Sequence, residues 1–495
     1  MSAVAERVEL PPAQVPVSST RKDFSERSLI DQSCRAPVLF FYTSAVLWLL
    51  LGTLLGFLAS YKMHEPAFWD AWAPLNFGRI RPAHLNVVAY GWATQAGLGT
   101  AIWLMARLSR TTLANGWMLI VANVFYNLGL TVGIIGILFG SSTSVEWLEM
   151  PGYASFIMFI SFALVAIWGI HMVVRRREGH IYVSQWYLFA ALFWFPWLFA
   201  TANILLHTFQ LSGVSMAATN WWYGHNVLGL WFTPIGLASA YYFIPKVVGR
   251  PVYSYYLSAL GFWSLALFYS WNGMHHLIGG PFPAWLVTAS IVASFMMVIP
   301  VVVVAINHHM TMKGSFHLLK YSPTLRFTVV GAMAYTLVSL QGISMSSRTL
   351  NEFTHFTHHT IGHSHLGLYA FFSMVMFGAM YYIVPRLVGC EWRSAMMIKI
   401  HFWMAFYGIA LMFGALTAGG FAQGFSLENP AIPFNQVVEG TIPYLVARTW
   451  SGVMLTIAHF VFAIHFALML FRLGKQQGSP TMFQDSPTAL EEAKA

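Results

Sequence analysis

The sequence predicts an all-α polytopic membrane protein with twelve transmembrane helices. Hydrophobic residues make up 57% and charged residues only 9% of the 495 positions, whereas soluble domains are about 25% charged. Twelve apolar runs are long enough to cross roughly 30 Å of hydrocarbon as helices. These runs lie near residues 37–61, 83–106, 117–140, 153–174, 187–209, 221–245, 252–274, 283–307, 326–347, 360–385, 397–420 and 447–471.

The basic residues predict how this bundle is oriented. If both termini are cytoplasmic, 21 of the 26 Lys and Arg residues lie in cytoplasmic tails and loops, as the positive-inside rule requires. The exceptions are Lys62, Arg79, Arg81, Arg348 and Arg448. Because the charge is divided among many loops, the net charge of +9 predicts no nucleic-acid partner.

One helical domain is expected over residues 35–472, between unstructured cytoplasmic tails at 1–34 and 473–495. The polar, Pro-rich start contains no short apolar core of a cleavable signal peptide. Cys34 and Cys390 are the only cysteines, which excludes a disulfide framework and a Cys-x-x-Cys-His haem attachment. For a redox function, another polypeptide would therefore have to deliver electrons.

Two histidines at the start of the tenth run suggest metal binding. His363 and His365 are two residues apart, a rotation of roughly 200° along an α-helix, so they point to nearly opposite sides. Imidazole is a common metal ligand and is costly in hydrocarbon without a partner. One helix could therefore bind two metal centres, although hydrogen bonds to neighbouring helices could also satisfy both rings.

A second group of histidines lies at the predicted outer ends of the sixth and seventh runs. His275 and His276 end the seventh run, and His225 lies just inside the sixth. Three imidazoles at one membrane depth suit a three-coordinate copper with an open position. Histidines exposed at a helix end are the alternative for His275 and His276.

His84 opens the second run on the same predicted side of the membrane. Its ring could face His365 across a porphyrin, giving a six-coordinate iron, while His363 holds a second iron. Arg79 and Arg81 lie at the membrane edge, where guanidinium groups can bind haem propionates. Ordinary interfacial anchoring is the alternative for the two arginines.

Tyr269 precedes His276 by seven residues, nearly two full helical turns, so both are expected on a similar face of the seventh helix. A phenol beside a copper–haem pair could supply a proton and an electron when an O–O bond breaks. Simple packing among 21 tyrosines is the alternative.

Four segments together closely resemble the catalytic subunit of the cbb3-type (C-family) haem-copper oxidases. The resemblance covers about residues 37–472 and includes the order, the spacing and the membrane topology of the segments. It implies the twelve-transmembrane-helix subunit I bundle in a bacterial inner (plasma) membrane. The segments are Trp221-Trp222-Tyr223-Gly224-His225-Asn226, Gly249-Arg250-Pro251-Val252-Tyr253-Ser254-Tyr255, His275-His276 and Thr360-Ile361-Gly362-His363-Ser364-His365.

The resemblance also implies cofactors and their ligands. Low-spin haem b, high-spin haem b and the copper ion CuB are the expected groups, with calcium a further ion expected near the haem propionates. The implied ligands are His84 and His365 for the low-spin haem, His363 for the high-spin haem, and His225, His275 and His276 for copper.

Other residues match positions of the family around these groups. Arg81 and His355 match positions near the propionates. Tyr269 matches a tyrosine that the family joins covalently to a copper-ligand histidine, here His225. Tyr255 and Ser258 match the region of the family's single proton-uptake pathway.

Two departures from the family pattern lie near the predicted high-spin haem. Gln341 stands where a glutamate is usual, and a glutamine can hydrogen-bond but cannot lose a proton in the normal range. His358 and His359 replace an expected Asp-Trp pair. Both changes could alter the potential of that haem.

The implied function is a terminal respiratory oxidase that reduces O₂ to water with electrons from a cytochrome c, coupled to proton translocation. Its expected partners are cytochrome c-bearing membrane subunits and membrane lipid. A nitric oxide reductase of the same superfamily is the alternative, but such enzymes favour glutamates around a non-haem iron. A haem-transport or redox-sensing protein would not explain a three-histidine site, and a secondary transporter would show paired interrupted spans.

Overall fold

Twelve long helices account for most of residues 17–475, the part of the chain that the structure, a computed structural model, describes; side chains are described from residue 26. These helices coincide with the twelve predicted runs, and the prediction of an all-α polytopic membrane fold is confirmed. They are α1 (Val17–Lys62), α2 (77–109), α3 (Gly116–Leu138), α4 (Gly152–Val174), α5 (Val183–Thr208), α6 (Gly213–Val248), α7 (Tyr255–Tyr269), α8 (Ala284–Met312), α9 (Pro323–Met345), α10 (His358–Val388), α11 (Ala395–Leu427) and α12 (Phe434–Leu470).

Ten helices of the described region are long and apolar enough to cross a membrane. The other two are α2 and α7. Helix α7 has only 15 residues, and a 3₁₀ turn over Asn272–Leu277 completes the predicted seventh span. The chain is therefore an integral membrane protein, and its seventh span changes from α-helix to 3₁₀ turn near its predicted outer end.

Helices α6 and α10 form the centre of the bundle. In each of them 83% of the most apolar segment is buried within the protein. Helix α10 packs against α1, α2, α6, α9, α11 and α12. A helix that is apolar on all sides belongs inside a bundle. The two helices that carry His225, His363 and His365 are thus the most buried of the ten spans measured in this way. Helix α2 is also buried, since residues 89–106 are all buried.

Short π-helical segments occur in four of the described helices, within three of them and at the end of α5. Three of them begin within three residues after a histidine of interest: Val87–Thr94 after His84, Leu228–Phe232 after His225, and Leu366–Ser373 directly after His365. The fourth is Ile204–Thr208. An extra residue in a helical turn changes the direction of the side chains around it and occurs often at functional sites.

Helix α1 begins earlier than expected. Residues 17–34 are helical, so the prediction of an unstructured tail up to residue 34 is wrong for this stretch. This added stretch packs against α2 through a contact that spacing alone does not reveal. Asp31 accepts hydrogen bonds from Trp103 Nε1 (2.9 Å) and Arg107 Nη1 (3.1 Å), which hold this part of α1 against the end of α2.

The remaining parts of the predicted tails, residues 1–16 and 476–495, lie outside the described residues. The buried core runs without a break from α1 to α12. A single helical domain over residues 35–472 stays a prediction.

Candidate haem and copper site

One cavity of about 430 Å³ lies between α1, α2, α6, α9, α10 and α12 and reaches the end of α7. Cofactor sites typically measure roughly 300–1,000 Å³. All six predicted metal ligands line this cavity: His84, His225, His275, His276, His363 and His365. Tyr269, Arg81 and His355 line it as well. Helices far apart in the sequence therefore bring nine of the predicted residues together.

The two histidines expected at the low-spin haem have the same tautomer. His84 Nδ1 donates to the carbonyl oxygen of Gly52, and His365 Nδ1 donates to that of Ile361, both at 2.8 Å. A carbonyl oxygen can only accept, so each Nδ1 carries the proton and each Nε2 is available for a metal. Such outer hydrogen bonds orient metal-binding imidazoles in proteins.

Gly56 makes room for the His84 ring. A Cβ atom at Gly56 would lie 2.4 Å from His84 Cε1 and 2.7 Å from Nδ1. Those distances are far below van der Waals contact. A side chain at this position of α1 would therefore displace the ring.

His363 contacts a side chain, whereas His365 bonds to a backbone carbonyl oxygen. Its Nδ1 lies 3.3 Å from Oε1 of Gln341 on α9, and Gln341 Nε2 lies 3.3 Å from Nε2 of His359. The Nδ1 proton is again directed away from the cavity, which leaves Nε2 as the free ligand atom. Sequence reasoning singled out Gln341 and His359 separately, but not their contact.

His225, His275 and His276 form a compact three-imidazole cluster. One nitrogen from each ring lies within 4.8 Å of the others. The ring centroid of His225 is 4.9 Å from that of His275 and 5.4 Å from that of His276. Two serines of α8 hold the turn in place: Ser290 Oγ accepts from the His275 backbone N–H at 2.9 Å, and Ser294 Oγ lies 2.7 Å from His275 Nδ1.

Tyr269 lies directly against this cluster. Its ring centroid is 4.5 Å from that of His225, with an angle of 31° between the ring planes. The sequence argument that placed Tyr269 and His276 two turns apart on one helix is wrong in detail, because α7 ends at Tyr269 and His276 lies in the 3₁₀ turn. The tyrosine nevertheless reaches the copper-ligand candidates.

The predicted outer end of the cavity carries most of its charge. Arg81 pairs with Glu146 at 3.0 Å. His355 follows the short helix Arg348–Thr354. Burial lowers the pKa of His355, and an interaction with the backbone of His276 opposes this shift.

Two other arginines at this end differ from the expectation. Arg79 donates to the carbonyl oxygen of Leu138 at 3.1 Å. Arg448 on α12, which sequence reasoning counted only as an outer-side cation, lines the cavity and is 8% exposed. Its Nε atom is buried without a hydrogen-bond partner in the described part of the chain. The sequence feature that could have identified Arg448 as a cavity residue is a single arginine inside an apolar run.

Tyr255 and Ser258 lie apart from the cavity, at the predicted cytoplasmic end of α7. Tyr255 Oη donates to the carbonyl oxygen of Ile181 at 2.9 Å. Ser258 Oγ accepts from Asn307 Nδ2 at 2.9 Å, and the same amide lies 3.5 Å from Tyr241 Oη. Sequence reasoning missed Asn307 and Tyr241, because residues on α6 and α8 meet α7 only after the bundle packs.

The donor set fits the metal groups expected from the resemblance. The Nδ1 atom of His225 is buried and has no hydrogen-bond partner among the described residues. Leaving a buried polar atom unpaired costs about 1–3 kcal/mol, and a metal bond would remove that cost. His84, His363 and His365 each keep Nε2 available beside the same cavity.

The membrane-spanning bundle and its histidine-lined cavity define the class of protein, a subunit I of the haem-copper type. Residues 36–454 match the family described as Cytochrome C and Quinol oxidase polypeptide I. The chain belongs to this family, which implies haem and copper as its groups.

Similar proteins agree with this result. The chain is 30% identical over 458 residues to the Cytochrome c oxidase subunit 1 homolog of Agrobacterium tumefaciens, covering 88% of this chain and 84% of the relative. It is 31% identical over 425 residues to the Cbb3-type cytochrome c oxidase subunit CcoN1 of Stutzerimonas stutzeri, covering 83% and 90%. These matches confirm the resemblance to the cbb3-type cytochrome c oxidases.

A solved structure supports the fold alone. The cryo-EM structure of a heme-copper terminal oxidase dimer matches with a TM-score of 0.73 at 14% sequence identity, over 95% of this chain and 89% of that chain.

Proposed function

We propose that this chain is the catalytic subunit of a terminal oxidase that reduces O₂ to water and couples this reaction to proton translocation. The observation that carries the proposal is the position of Tyr269. Its ring lies 4.5 Å from that of His225 in a three-imidazole cluster, and His363 lines the same cavity.

Each expected group has a set of residues suited to it. His84 and His365 would hold low-spin haem b, His363 would hold high-spin haem b, and the three-imidazole cluster would hold copper. When bound, these groups would carry electrons and hold O₂. The supporting facts are the fixed Nδ1 protons of the three haem-ligand candidates and the unpartnered Nδ1 of His225.

Tyr269 would hold the proton that oxygen chemistry needs. Its phenolic O–H is one donor beside the copper-ligand candidates, and a phenol can give up both a proton and an electron. A covalent bond to His225 would join α6 to the end of α7 and fix the phenol at this place.

Protons would reach Tyr269 from the cytoplasmic side along α7. Ser258, Asn307 and Tyr241 form a hydrogen-bonded group near the predicted cytoplasmic end. Tyr335 of α9 lines the cavity, and its hydroxyl is buried without a partner among the described residues. Buried polar groups of this kind commonly bind water, which would connect the group to Tyr269.

Haem propionates would lie at the outer end of the cavity, near Arg81, His355 and Arg448. Calcium would be bound there by carboxylate oxygens, which it prefers. Glu146 lies beside Arg81, and the Oε1 atom of Glu149 is buried without a partner among the described residues. Burial raises the pKa of Glu149, because the ionised carboxylate is poorly solvated there. A bound cation would offset this cost of burying the charge.

Electrons would come from a cytochrome c on a partner membrane subunit. With both termini cytoplasmic, Arg81 and Glu146, two partly exposed residues that line the cavity, lie on the opposite side. A cytochrome c-bearing subunit docked on that side would be close to the His84–His365 end.

The donor set also bears on the alternative of a nitric oxide reductase. A non-haem iron prefers carboxylate ligands more than copper does. Among the described residues, the one acid that lines the cavity is Glu146, which pairs with Arg81. The imidazole-only cluster therefore favours copper and oxygen.

The test is a Tyr269→Phe variant of the intact oxidase complex, compared with Tyr42→Phe. Tyr42 is a fully buried tyrosine whose hydroxyl lies 2.9 Å from Thr100 Oγ1, and it is not among the residues that line the cavity. Tyr269→Phe should retain both haems and copper yet nearly abolish O₂ reduction. Tyr42→Phe should keep its turnover and lose about 1 kcal/mol of stability.

Peptide mass spectrometry of the unmodified enzyme completes this test. It should find Tyr269 joined to the peptide that contains His225. Separate unmodified peptides together with an active Tyr269→Phe variant would contradict the proposed role.

A further inference from the structure

An amide on α9 connects two histidines of α10. Gln341 Oε1 lies 3.3 Å from His363 Nδ1, and Gln341 Nε2 lies 3.3 Å from His359 Nε2. His359 and His363 are four residues apart, so they share one face of the helix. One side chain of α9 can therefore contact both rings at once.

A primary amide suits both contacts. It has an acceptor and a donor at the same end. The oxygen accepts the Nδ1 proton of His363, while the NH₂ group donates to the lone pair on Nε2 of His359. Because that Nε2 accepts, His359 must carry its proton on Nδ1.

The His359 ring is held in place by α11. It is 3% exposed, and its centroid lies 4.8 Å from that of Phe421. A Cβ atom at Gly420 would lie within 2.1 Å of the His359 backbone nitrogen, so this glycine lets α10 and α11 approach closely. The ring therefore has little freedom to turn away from Gln341.

We propose that His359 is a positioning residue that acts through Gln341 on His363, the ligand proposed for the high-spin haem. The proposal rests on that ligand assignment. The lone pair of His359 holds the Gln341 amide with its oxygen toward His363. His363 then donates to a neutral acceptor rather than to a carboxylate, and it stays a neutral imidazole instead of gaining imidazolate character.

This arrangement predicts the strength of the iron–histidine bond. A stronger acceptor at position 341 would pull the Nδ1 proton and strengthen the bond from Nε2 to iron. Loss of the acceptor would weaken it. Without His359 the amide could turn, and its NH₂ group would then face the Nδ1 proton of His363.

The experiment is resonance Raman spectroscopy of the reduced oxidase complex, which reports the iron–histidine stretching frequency of a five-coordinate haem. Gln341→Glu should raise this frequency and make the midpoint potential of the high-spin haem more negative. Gln341→Leu should lower the frequency. His359→Leu should lower or split the band, while His359→Gln, which restores an acceptor, should return it toward the native position.

His358→Leu is the matched control, because it removes the adjacent histidine of the same turn and leaves the Gln341 contacts in place. Its frequency should equal that of the native enzyme. An unchanged band in both Gln341 variants, or in His359→Leu, would overturn the proposal.

A His363→Ala variant separates this inference from the ligand assignment. If the band disappears in His363→Ala but does not move in the Gln341 variants, only the role of His359 and Gln341 is wrong. A band that persists in His363→Ala would show that the assignment of this ligand in the proposed function is wrong.

Discussion

Gly229 controls how closely Tyr269 can approach His225. A Cβ atom at this glycine would lie 1.7 Å from Tyr269 Cε1 and 2.0 Å from Cδ1 and Cζ. Ordinary contact begins near 3.4 Å, so a Gly229→Ala variant forces the ring to move by about 2 Å. Such overpacking costs about 1–3 kcal/mol of stability.

The same movement should also reduce turnover. Misplacing a reacting group by about 1 Å can reduce a rate roughly 100-fold. We therefore expect Gly229→Ala to lose at least about 100-fold in O₂ consumption, while the haem spectra and the copper content stay native. The covalent bond between Tyr269 and His225 should also be absent from its peptide map.

Gly414→Ala on α11 is the matched control. A Cβ atom there meets no atom of the described residues within 4 Å, and replacing a helical glycine by alanine typically gains about 0.5–1 kcal/mol. We expect native turnover in Gly414→Ala and a loss of turnover in Gly229→Ala. A Gly229→Ala variant that keeps both native turnover and the covalent bond would refute the placement of Tyr269.

Three other predictions concern the ligands, one buried carboxyl group and the electron donor. His84→Ala or His365→Ala should remove the low-spin haem spectrum, because six-coordinate iron needs both axial nitrogens. His363→Ala should instead abolish CO binding. A native low-spin spectrum in His84→Ala or His365→Ala would contradict the ligand assignment. Burial raises the pKa of Glu391, in the loop between α10 and α11, to about 8. In the unfolded chain this carboxyl group ionises near its ordinary pKa of 4.5. Its contribution to folding stability should therefore fall as the pH rises from about 4.5 to about 8. The check is to measure thermal unfolding of the native protein and of Glu391→Gln across this pH range. The stability of the variant should fall less than that of the native protein, and an equal fall in the two proteins would contradict the prediction. The isolated chain should accept electrons only slowly from soluble cytochrome c, as it contains no Cys-x-x-Cys-His motif; fast turnover without a partner subunit would argue against a cytochrome c-bearing subunit as the donor.

The helices and the histidine cluster could be predicted because their signals are local in the sequence. Apolar runs of span length located all twelve helices. The positions of His225, His275 and His276 at the ends of their runs placed these three at one membrane depth, with His84 on the same side. The spacing of His363 and His365 placed them on opposite faces of one helix. The structure brings all six to one cavity.

The contacts that orient these ligands could not be predicted in the same way. Gln341 meets His359 and His363 only because α9 packs beside α10. Arg448 reaches the cavity from α12, which lies far away in the sequence. Such contacts depend on which helices become neighbours, and hydropathy does not specify this.

The structure also differs from the sequence-based prediction at the places where the chain enters or leaves a regular helix. The end of α7 at Tyr269 could not be read from an apolar run that continues past it. The added stretch of α1 contains Asp31, whose partners lie more than 70 residues away on α2. In neither case does an apolar run mark where the helix begins or ends.

Metal analysis of the purified complex tests the central claim most directly. The iron and copper bound to this chain should be counted after the haems of any cytochrome c-bearing subunit are subtracted. The proposed oxidase predicts one copper and two haem irons per chain. A third, non-haem iron without copper would contradict it and would favour the nitric oxide reductase.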